Sequence, residues 1–205
     1  MRKTNNKEKI IQKSINLFSK HGYDRVTIRQ IAKEVGIKES SIYNHFKSKE
    51  TILDTILNQY ITEMTTNEIP LEQASQNLDV SFQYFYKTGL KLYINKLKKP
   101  QMMKITRIIL IESYHNTKIK TFLKKEMLDN VIKGWTALFE LMKIKKLIQE
   151  NTDTKQLAES FYYYGLFLFI EHFIINYPED NETFLKNLET KTEKHITLIY
   201  NSIKK

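Results

Sequence analysis

The sequence predicts an all-α protein of about nine helices, and three observations support that prediction. Only 5 of its 205 residues are Gly and 3 are Pro, which argues against a fold that needs many tight turns. Apolar side chains recur three or four residues apart through most of the chain, which is the spacing of amphipathic helices. Pro70, Pro100 and Pro178 each fall between such periodic runs, where helix boundaries are expected.

Composition restricts the class of protein further. Hydrophobic residues make up 41% and charged residues 27%, as in a soluble globular protein. Cys is 0, which excludes disulfides and thiolate metal sites and favours a reducing, cytoplasmic location. The charged amino terminus is unlike a signal peptide. The most apolar run, 161–175, is interrupted by Glu171 and His172 and is too short to cross a bilayer, so we expect a buried helix there.

The excess positive charge is concentrated near the amino terminus. Of a net charge of +10, the first 50 residues contribute 12 Lys/Arg against 5 Asp/Glu, and the remaining residues contribute 21 against 18. A concentrated excess is expected of a module that binds phosphates, whereas a merely soluble basic protein spreads its charge. We expect residues 1 to 5 to form a disordered basic arm.

Residues 6–35 predict two helices joined by a turn. Ile11, Ile15 and Phe18 form the apolar stripe of the first helix, and Gly22 fits the left-handed position beyond its end. Thr27 can cap the second helix, because Gln30 three residues later completes a capping box.

A third helix is predicted from about residue 38 to residue 46, after a stop at Gly36. Ile42 and Phe46 lie on its buried side. Its outward side is polar and consists of Lys38, Glu39, Ser40, Ser41, Tyr43, Asn44 and His45. A helix that crosses another and presents such groups is how a helix-turn-helix enters the major groove of DNA. An ordinary pair of surface helices is the alternative.

The remaining residues predict a helical body. Ser48 caps a helix that runs to about residue 66 without an intervening Gly or Pro, so we interpret it as a lever between the amino-terminal helices and the body. Further helices are predicted over 71–98 (with a break near Gly89 allowed), 102–114, 118–147, 153–177 (capped by Thr152 or Asp153) and 181–203. We therefore predict a DNA-binding domain over 1–47 and a body over 48–205.

Written out, TIRQIAKEVGIKESSIYNHFKSKETIL resembles the amino-terminal DNA-binding domain of the TetR family of transcriptional regulators. The specific part is Gly36-Ile37, then SIYNHF over 41–46, then Lys49-Glu50 and Leu53. The resemblance covers about residues 5–55. One position departs from the family pattern: Lys38 stands where a capping Ser or Thr is usual, so that cap is missing or supplied otherwise.

The resemblance implies roles for individual residues. Those expected to contact the DNA backbone are Thr27, Tyr43, His45 and Lys49. Those expected to contact base edges are Arg29, Lys38, Glu39, Ser40, Ser41 and Asn44. For each of them, packing or surface filling is the alternative.

The resemblance also implies a repressor that binds a near-palindromic operator as a homodimer formed by the last two helices. A small-molecule effector would release the DNA by binding one separation of the two DNA-binding domains better than the other.

Aromatic side chains in the body are candidates for an effector pocket, and ordinary core packing is the alternative for each of them. An aromatic pocket suits a flat or lipophilic effector, including a cation. The candidates are Tyr84, Phe85, Tyr93, Arg107, Tyr114, Trp135, Phe139, Tyr163, Phe167 and His172. Buried Glu171 and His172 would need partners, which a ligand or a hydrogen bond across a dimer interface could supply.

Two other classes of function remain to be compared. The five histidines have no metal-ligand spacing, and neither a glycine-rich phosphate loop nor a GxSxG elbow occurs, so we predict no enzyme, no metal and no cofactor. A helix-turn-helix regulator without a small-molecule effector is the second alternative. A closed, filled body would favour it.

Overall fold

The structure, a computed structural model, describes residues 6–66, 70–178 and 180–205. Within those residues the chain forms helices joined by short turns and contains no β-strand, which confirms the predicted all-α fold. No helix in the same residues combines the length and apolarity needed to cross a membrane. The predicted basic arm, residues 1 to 5, lies outside the described residues.

The α-helices are numbered here in chain order. They are α1 (Asn6–His21), α2 (Ile28–Val35), α3 (Glu39–Tyr43), α4 (Lys49–Thr65), α5 (Leu71–Val80), α6 (Phe82–Leu97), α7 (Met102–Glu112), α8 (Thr117–Phe122), α9 (Asn130–Ile144), α10 (Thr154–Ile170) and α11 (Asn181–Ile203). Two π-helical segments, Leu123–Asp129 and Glu171–Ile175, continue α8 into α9 and extend α10.

The chain divides into two compact units. The amino-terminal unit comprises Met1–Thr66 and Lys96–Ile119, and the carboxy-terminal unit comprises Asn67–Asn95 and Lys120–Lys205. The amino-terminal unit therefore contains α7 as well as α1 to α4. The predicted boundary after residue 47 stays a prediction about which residues bind DNA.

Most helix boundaries agree with the sequence pattern, and one break was misplaced. Asp153 caps α10 by accepting hydrogen bonds from the N–H groups of Lys155 (3.1 Å) and Gln156 (3.0 Å). The predicted helix over 71–98 is broken at Ser81, not near Gly89. Ser81 is extended (φ −176°, ψ 158°), and its hydroxyl accepts a hydrogen bond from the N–H of Tyr84 at 3.0 Å. A side-chain cap therefore starts α6 there.

The core of the amino-terminal unit is mainly aliphatic. α7 adds three isoleucines to the core of the first four helices. Buried side chains include Ile10, Ile15, Phe18, Ile31, Ile42, Phe46, Ile52, Leu53, Ile56, Ile105, Ile108 and Ile109. Leu17, Ile28, Val35 and Ile37 are only half-buried. Removing this apolar surface from water is the main contribution to the stability of the unit.

The core of the carboxy-terminal unit is aromatic. The ring of Trp135 lies 4.3 Å from that of Phe161 and 5.9 Å from that of Phe139, measured between centroids. Phe85 meets Trp135 edge-on at 6.5 Å. Such stacked and edge-to-face pairs add to the stabilisation that burial alone provides.

Candidate nucleic-acid interface

The first helix of the predicted pair begins with a reciprocal cap. The N–H of Gln30 donates to the Thr27 hydroxyl oxygen at 3.2 Å, and the N–H of Thr27 donates to the Gln30 amide oxygen at 2.7 Å. The predicted capping box is therefore confirmed. Two N–H groups that helix formation would leave without partners are bonded, which fixes the start of α2.

The turn between α2 and α3 depends on Gly36. This residue is left-handed (φ 77°), and its N–H reaches the carbonyl oxygens of Ala32 (3.0 Å) and Lys33 (3.2 Å). The N–H of Ile37 also bonds to Ala32 O, at 3.0 Å. A side chain at φ 77° would strain the backbone, so glycine is the residue suited to this stop.

The second helix of the pair is shorter than the sequence predicts. α3 covers only Glu39–Tyr43, and no side chain caps it at Lys38, as the departure from the family pattern indicated. The chain then turns, with the N–H groups of His45 and Phe46 both bonded to Ile42 O at 2.9 Å. Ile42 and Phe46 are buried as predicted, so the turn preserves the buried side.

Nearly all the residues predicted to contact DNA are accessible. Tyr43 is 53% exposed, and no helix of the described residues covers it. The exposed residues of the set are Thr27, Arg29, Lys38, Glu39, Ser40, Tyr43, Asn44 and His45, and the half-buried ones are Ser41 and Lys49. The hydroxyl, phenol, amide, imidazole and charged groups on this surface can all donate or accept hydrogen bonds.

Two of the predicted base-contacting residues face each other across the helix pair. Arg29 Nε lies 4.0 Å from a carboxylate oxygen of Glu39. Both side chains border a shallow open groove that Ala32, Ile37 and Ser40 also line. An exposed ion pair of this length contributes little stability, so both groups are available to a partner.

Lys49, at the start of α4, has a structural role in this conformation. Its ammonium donates to the carbonyl oxygens of Tyr23 (2.8 Å) and Val26 (3.0 Å), and it lies 4.2 Å from the centroid of the Tyr23 ring. Burial lowers the pKa of Lys49, and the carboxylates of Asp24 and Glu112 act in the opposite direction. The predicted phosphate contact of Lys49 stays a prediction.

Sequence reasoning missed the polar contacts that α7 and α8 make within this unit. Glu112 accepts a hydrogen bond from the N–H of Tyr23, and Arg107 donates to Ser19 O, both at 3.1 Å. Lys118 lies 2.7 Å from a carboxylate oxygen of Glu50 and 2.6 Å from one of Asp54. About ninety residues separate Glu112 from Tyr23 in the sequence, so no local pattern signals that contact.

The predicted effector residues are not gathered into one pocket. Phe85, Trp135 and Phe139 pack together in the aromatic core. Arg107 and Tyr114 belong to the amino-terminal unit, where Tyr114 is 86% exposed.

The other candidates in the carboxy-terminal unit are separate from that core cluster. Tyr93 meets Phe169 edge-on, whereas Tyr84, Tyr163 and Phe167 are exposed. His172 is buried, bonded to Asn181 Oδ1 at 2.9 Å and stacked on Phe184.

One cavity of the carboxy-terminal unit is small. Its volume is about 50 Å³, and it is lined by Leu168, Glu171, His172, Asn176, Phe184, Asn187, Leu188 and Lys191. That volume holds one or a few water molecules, whereas pockets for drug-sized molecules measure roughly 300 Å³ or more.

Comparison with known proteins supports the interpretation of the amino-terminal helices. Residues 10–56 match the family model described as "Bacterial regulatory proteins, tetR family". The biofilm operon icaADBC HTH-type negative transcriptional regulator IcaR of Staphylococcus aureus (strain Newman) is 38% identical over 82 residues. That alignment covers 39% of this chain and 44% of IcaR, so it spans less than half of the curated relative.

Solved structures extend the similarity of fold to the whole chain. A TetR-family transcriptional regulator from Mesorhizobium loti superposes with a TM-score of 0.68 at 17% identity, covering 100% of both chains. NalD, the secondary repressor of the MexAB-OprM multidrug efflux pump in Pseudomonas aeruginosa, gives 0.62 at 16% identity, covering 98% of this chain and 96% of NalD. At these identities the likeness concerns the fold.

Proposed function

We propose that this chain is a regulator of the TetR family, whose model residues 10–56 match, and that it represses transcription by binding a near-palindromic operator as a homodimer. The observation that carries the proposal is the exposed polar surface of α2 and α3, which a capping box and a glycine stop hold over a buried core. The net charge of +10, concentrated in the first 50 residues, supports a polyanionic partner. The proposed place of action of the protein is the cytoplasm, which contains the DNA.

Contacts to the phosphates position the protein on the duplex. Thr27, Tyr43 and His45 are exposed at the start of α2 and the end of α3, where each can donate to a phosphate oxygen. Lys49 adds a positive charge at the start of α4. These contacts do not distinguish base pairs, so they supply affinity without sequence preference.

Contacts to base edges supply the sequence preference. An Arg or Lys can donate to guanine, a Glu can accept from cytosine, and an Asn can bond to adenine in both directions. The residues that we assign to this role are Arg29, Lys38, Glu39, Ser40, Ser41 and Asn44. Because α3 has only five residues, a short helical surface carries most of this recognition.

The homodimer is proposed to form through α10 and α11. Tyr163, Phe167 and Ile174 lie four and seven residues apart along α10 and its π-helical extension, and all three are about half exposed or more. Leu198 of α11 is exposed as well. Apolar side chains at helical spacing on a water-exposed face are suited to burial against a second copy. Two copies would present two DNA-binding surfaces to successive major grooves.

Release by a small-molecule effector is the first proposed mode of regulation. A drug-sized effector is proposed to bind by opening the aromatic core around Trp135. In this scheme the effector binds the open conformation preferentially and shifts the population away from the DNA-binding one.

A second candidate is a repressor that responds to a protein or to no effector. The aromatic core of the carboxy-terminal unit favours it, since the rings of Trp135, Phe139 and Phe161 pack against one another there. Fluorescence of Trp135, the single tryptophan, separates the two candidates. Quenching by a lipophilic aromatic cation that also releases DNA supports the effector. DNA binding that survives saturation with a panel of such compounds supports the second candidate.

The proposed function is tested by selecting genomic fragments bound by the purified full-length protein. The proposal requires enrichment of a near-palindromic sequence, with binding that weakens steeply as salt is raised. Failure to enrich any sequence at low ionic strength would contradict it.

A further inference from the structure

Two side chains from different helices form hydrogen bonds with the main chain of Tyr23. Glu112, at the end of α7, accepts a hydrogen bond from the N–H of Tyr23 at 3.1 Å. Lys49, at the start of α4, donates to the carbonyl oxygen of the same residue at 2.8 Å. The turn between α1 and α2 is therefore fixed through both the N–H and the C=O group of Tyr23.

The carboxylate of Glu112 fits closely against this turn. Glu112 is only 7% exposed, and a buried carboxylate is costly unless it is hydrogen-bonded. At Gly22 (φ 85°), an added Cβ would lie 3.0 Å from Glu112 Oε1, so a side chain there would displace the carboxylate. Glycine at this position permits both the left-handed turn and the close approach of Glu112.

The same turn leads directly into the DNA-contacting surface. Lys49 also bonds to the carbonyl oxygen of Val26 at 3.0 Å, and Val26 immediately precedes Thr27, the N-cap of α2. The ring of Tyr23 packs edge-on against Phe18 at 5.1 Å, which closes the turn onto the core. The placement of Tyr23 therefore affects where α2 begins.

Glu112 belongs to a series of contacts along α1 and α7. Lys104 bonds to Asn16 Oδ1 at 2.6 Å, Arg107 bonds to Ser19 O at 3.1 Å, and Glu112 bonds to Tyr23 N further on. Residue numbers increase in the same direction on both helices, so α7 follows α1 to its end. The first two contacts hold the body of α1, and only the third reaches the turn.

We propose that Glu112 is a positioning residue for DNA binding, which fixes the α1–α2 turn and thereby the start of α2 and the Lys49 ammonium. This inference rests on the proposed DNA-binding function. Glu112 itself touches no DNA in this proposal. Its effect is exerted through the N–H of Tyr23, so an acceptor oxygen at that point is required, and a negative charge is not.

Two variants with the same charge change isolate the hydrogen bond. Glu112→Gln keeps an acceptor oxygen, whereas Glu112→Met has a similar volume and no such oxygen. Neutralising a carboxylate by itself favours binding to polyanionic DNA, so the charge change cannot produce the weaker binding that we expect. Glu112→Asp is the third variant, because it keeps the charge and withdraws the oxygen by one methylene group.

The experiment measures operator affinity of the full-length protein between about 50 and 200 mM salt, together with hydrogen exchange of the Tyr23 amide without DNA. We expect Glu112→Met and Glu112→Asp to weaken binding about tenfold, as removing the partner of a buried N–H predicts, and Glu112→Gln to stay within about twofold. The dependence of affinity on salt should also become shallower in Glu112→Met and Glu112→Asp. The slope of log affinity against log salt concentration should change by about 0.9 for each phosphate that is no longer neutralised. Tyr23 exchange should be faster in the same two variants only.

The outcomes separate this inference from the proposed function. If the unmodified protein binds no duplex, the proposed function fails, and the exchange of the Tyr23 amide still tests the hydrogen bond to Glu112. Glu112 has no positioning role if the unmodified protein binds DNA and the folded variants Glu112→Met, Glu112→Asp and Glu112→Gln all have the same affinity and the same dependence of affinity on salt. Should Glu112→Met fail to fold, the comparison of Asp with Gln gives the same decision.

Discussion

The two compact units expose different chemistry over similarly buried cores. The amino-terminal unit presents the phenol of Tyr43 and the amide of Asn44 to solvent, whereas the carboxy-terminal unit presents Phe167 and Ile174, 56% and 54% exposed. Polar groups in a basic unit suit phosphates and base edges, and an apolar stripe suits another apolar stripe. This difference is the one expected if, as proposed, the amino-terminal unit binds DNA and the carboxy-terminal unit binds a second copy of the chain.

Both units bury hydrogen-bonded polar groups, Glu112 in one and His172 in the other, but they differ in the apolar side chains of their cores. The amino-terminal unit buries Glu112, which bonds to the main chain of Tyr23. The carboxy-terminal unit packs Trp135, Phe139 and Phe161 ring against ring. The hydrogen bond from Tyr23 to Glu112 specifies the geometry of the turn next to α2, whereas stacked and edge-to-face rings stabilise the carboxy-terminal core.

The largest effect is expected from a charge placed among the exposed apolar side chains of α10 and its extension, which are Tyr163, Phe167 and Ile174. Phe167→Asp should raise the dimer dissociation constant about a thousandfold, roughly 4 kcal/mol, because two copies of the change enter one interface. Sedimentation equilibrium measures it. Val80→Asp, at an exposed apolar residue of α5, is the matched control and should leave the dimer intact. If Phe167→Asp and Val80→Asp have the same dimer dissociation constant, α10 does not form the dimer interface.

A large loss of stability at high pH is expected from both cores. Burial raises the pKa of Tyr60 in the amino-terminal unit and of Tyr86 in the carboxy-terminal unit, each to about 12. A raised folded-state pKa means that the stability is fully present below the unfolded-state pKa near 10. It then falls as pH rises towards about 12, by about 3 kcal/mol per tyrosine.

Chemical denaturation between about pH 8 and pH 12 measures this decrease. Tyr60→Phe and Tyr86→Phe should each remove one part of the pH dependence, and exposed Tyr114→Phe should remove none. If the free energy of unfolding falls equally steeply in all three variants, neither buried phenol is responsible for the decrease.

A moderate effect should distinguish residues that set the base-pair preference from residues that set the overall affinity for DNA. The two residues compared are Tyr43, the last residue of α3, and Asn44, which follows it. Asn44→Ala should reduce discrimination at one base pair by about 2 kcal/mol, since the variant has no side-chain amide to form a bidentate pair with a base. Tyr43→Phe, which removes one hydroxyl, should weaken binding to all duplexes by a similar factor. Competition binding against single-base operator variants measures both changes. A uniform decrease in Asn44→Ala would move that residue to the phosphate contacts.

The smallest effect compares two helix caps of the amino-terminal unit. Thr27→Ala and Ser48→Ala should each lower the free energy of unfolding by about 1 kcal/mol, because both hydroxyls cap a helix. Only Thr27→Ala should also weaken DNA binding, and Thr27→Ser should restore it. Thermal unfolding and operator titration provide the two readouts. Equal DNA affinity of Thr27→Ala and Ser48→Ala would leave Thr27 with a structural role alone.

Local signals made the amino-terminal helices predictable. The capping box at Thr27, the left-handed glycines and the buried spacing of Ile42 and Phe46 each depend on residues within four positions of one another. Propensity and capping rules act over that range. The end of α3 at Tyr43 was missed because a turn and a helix bury the same two side chains.

Longer-range features could not be predicted from the sequence. Ser81 starts a helix as an N-cap, but a serine inside a periodic run carries the same local signal as one on a helix surface. The contact between Glu112 and Tyr23 is set by the packing of α7, which no spacing encodes. Aromatic residues such as Phe139 and Tyr163 look alike in sequence, although one is buried and the other is exposed.

The central claim is that the polar surface of α2 and α3 grips duplex phosphates. Titration of the purified protein with its selected operator at about 50, 100 and 200 mM salt tests it most directly. Lys49 is the proposed cationic phosphate contact of each protomer, so two such contacts per dimer predict a roughly tenfold decrease in affinity across that range. An affinity that stays constant from about 50 to 200 mM salt would contradict the account.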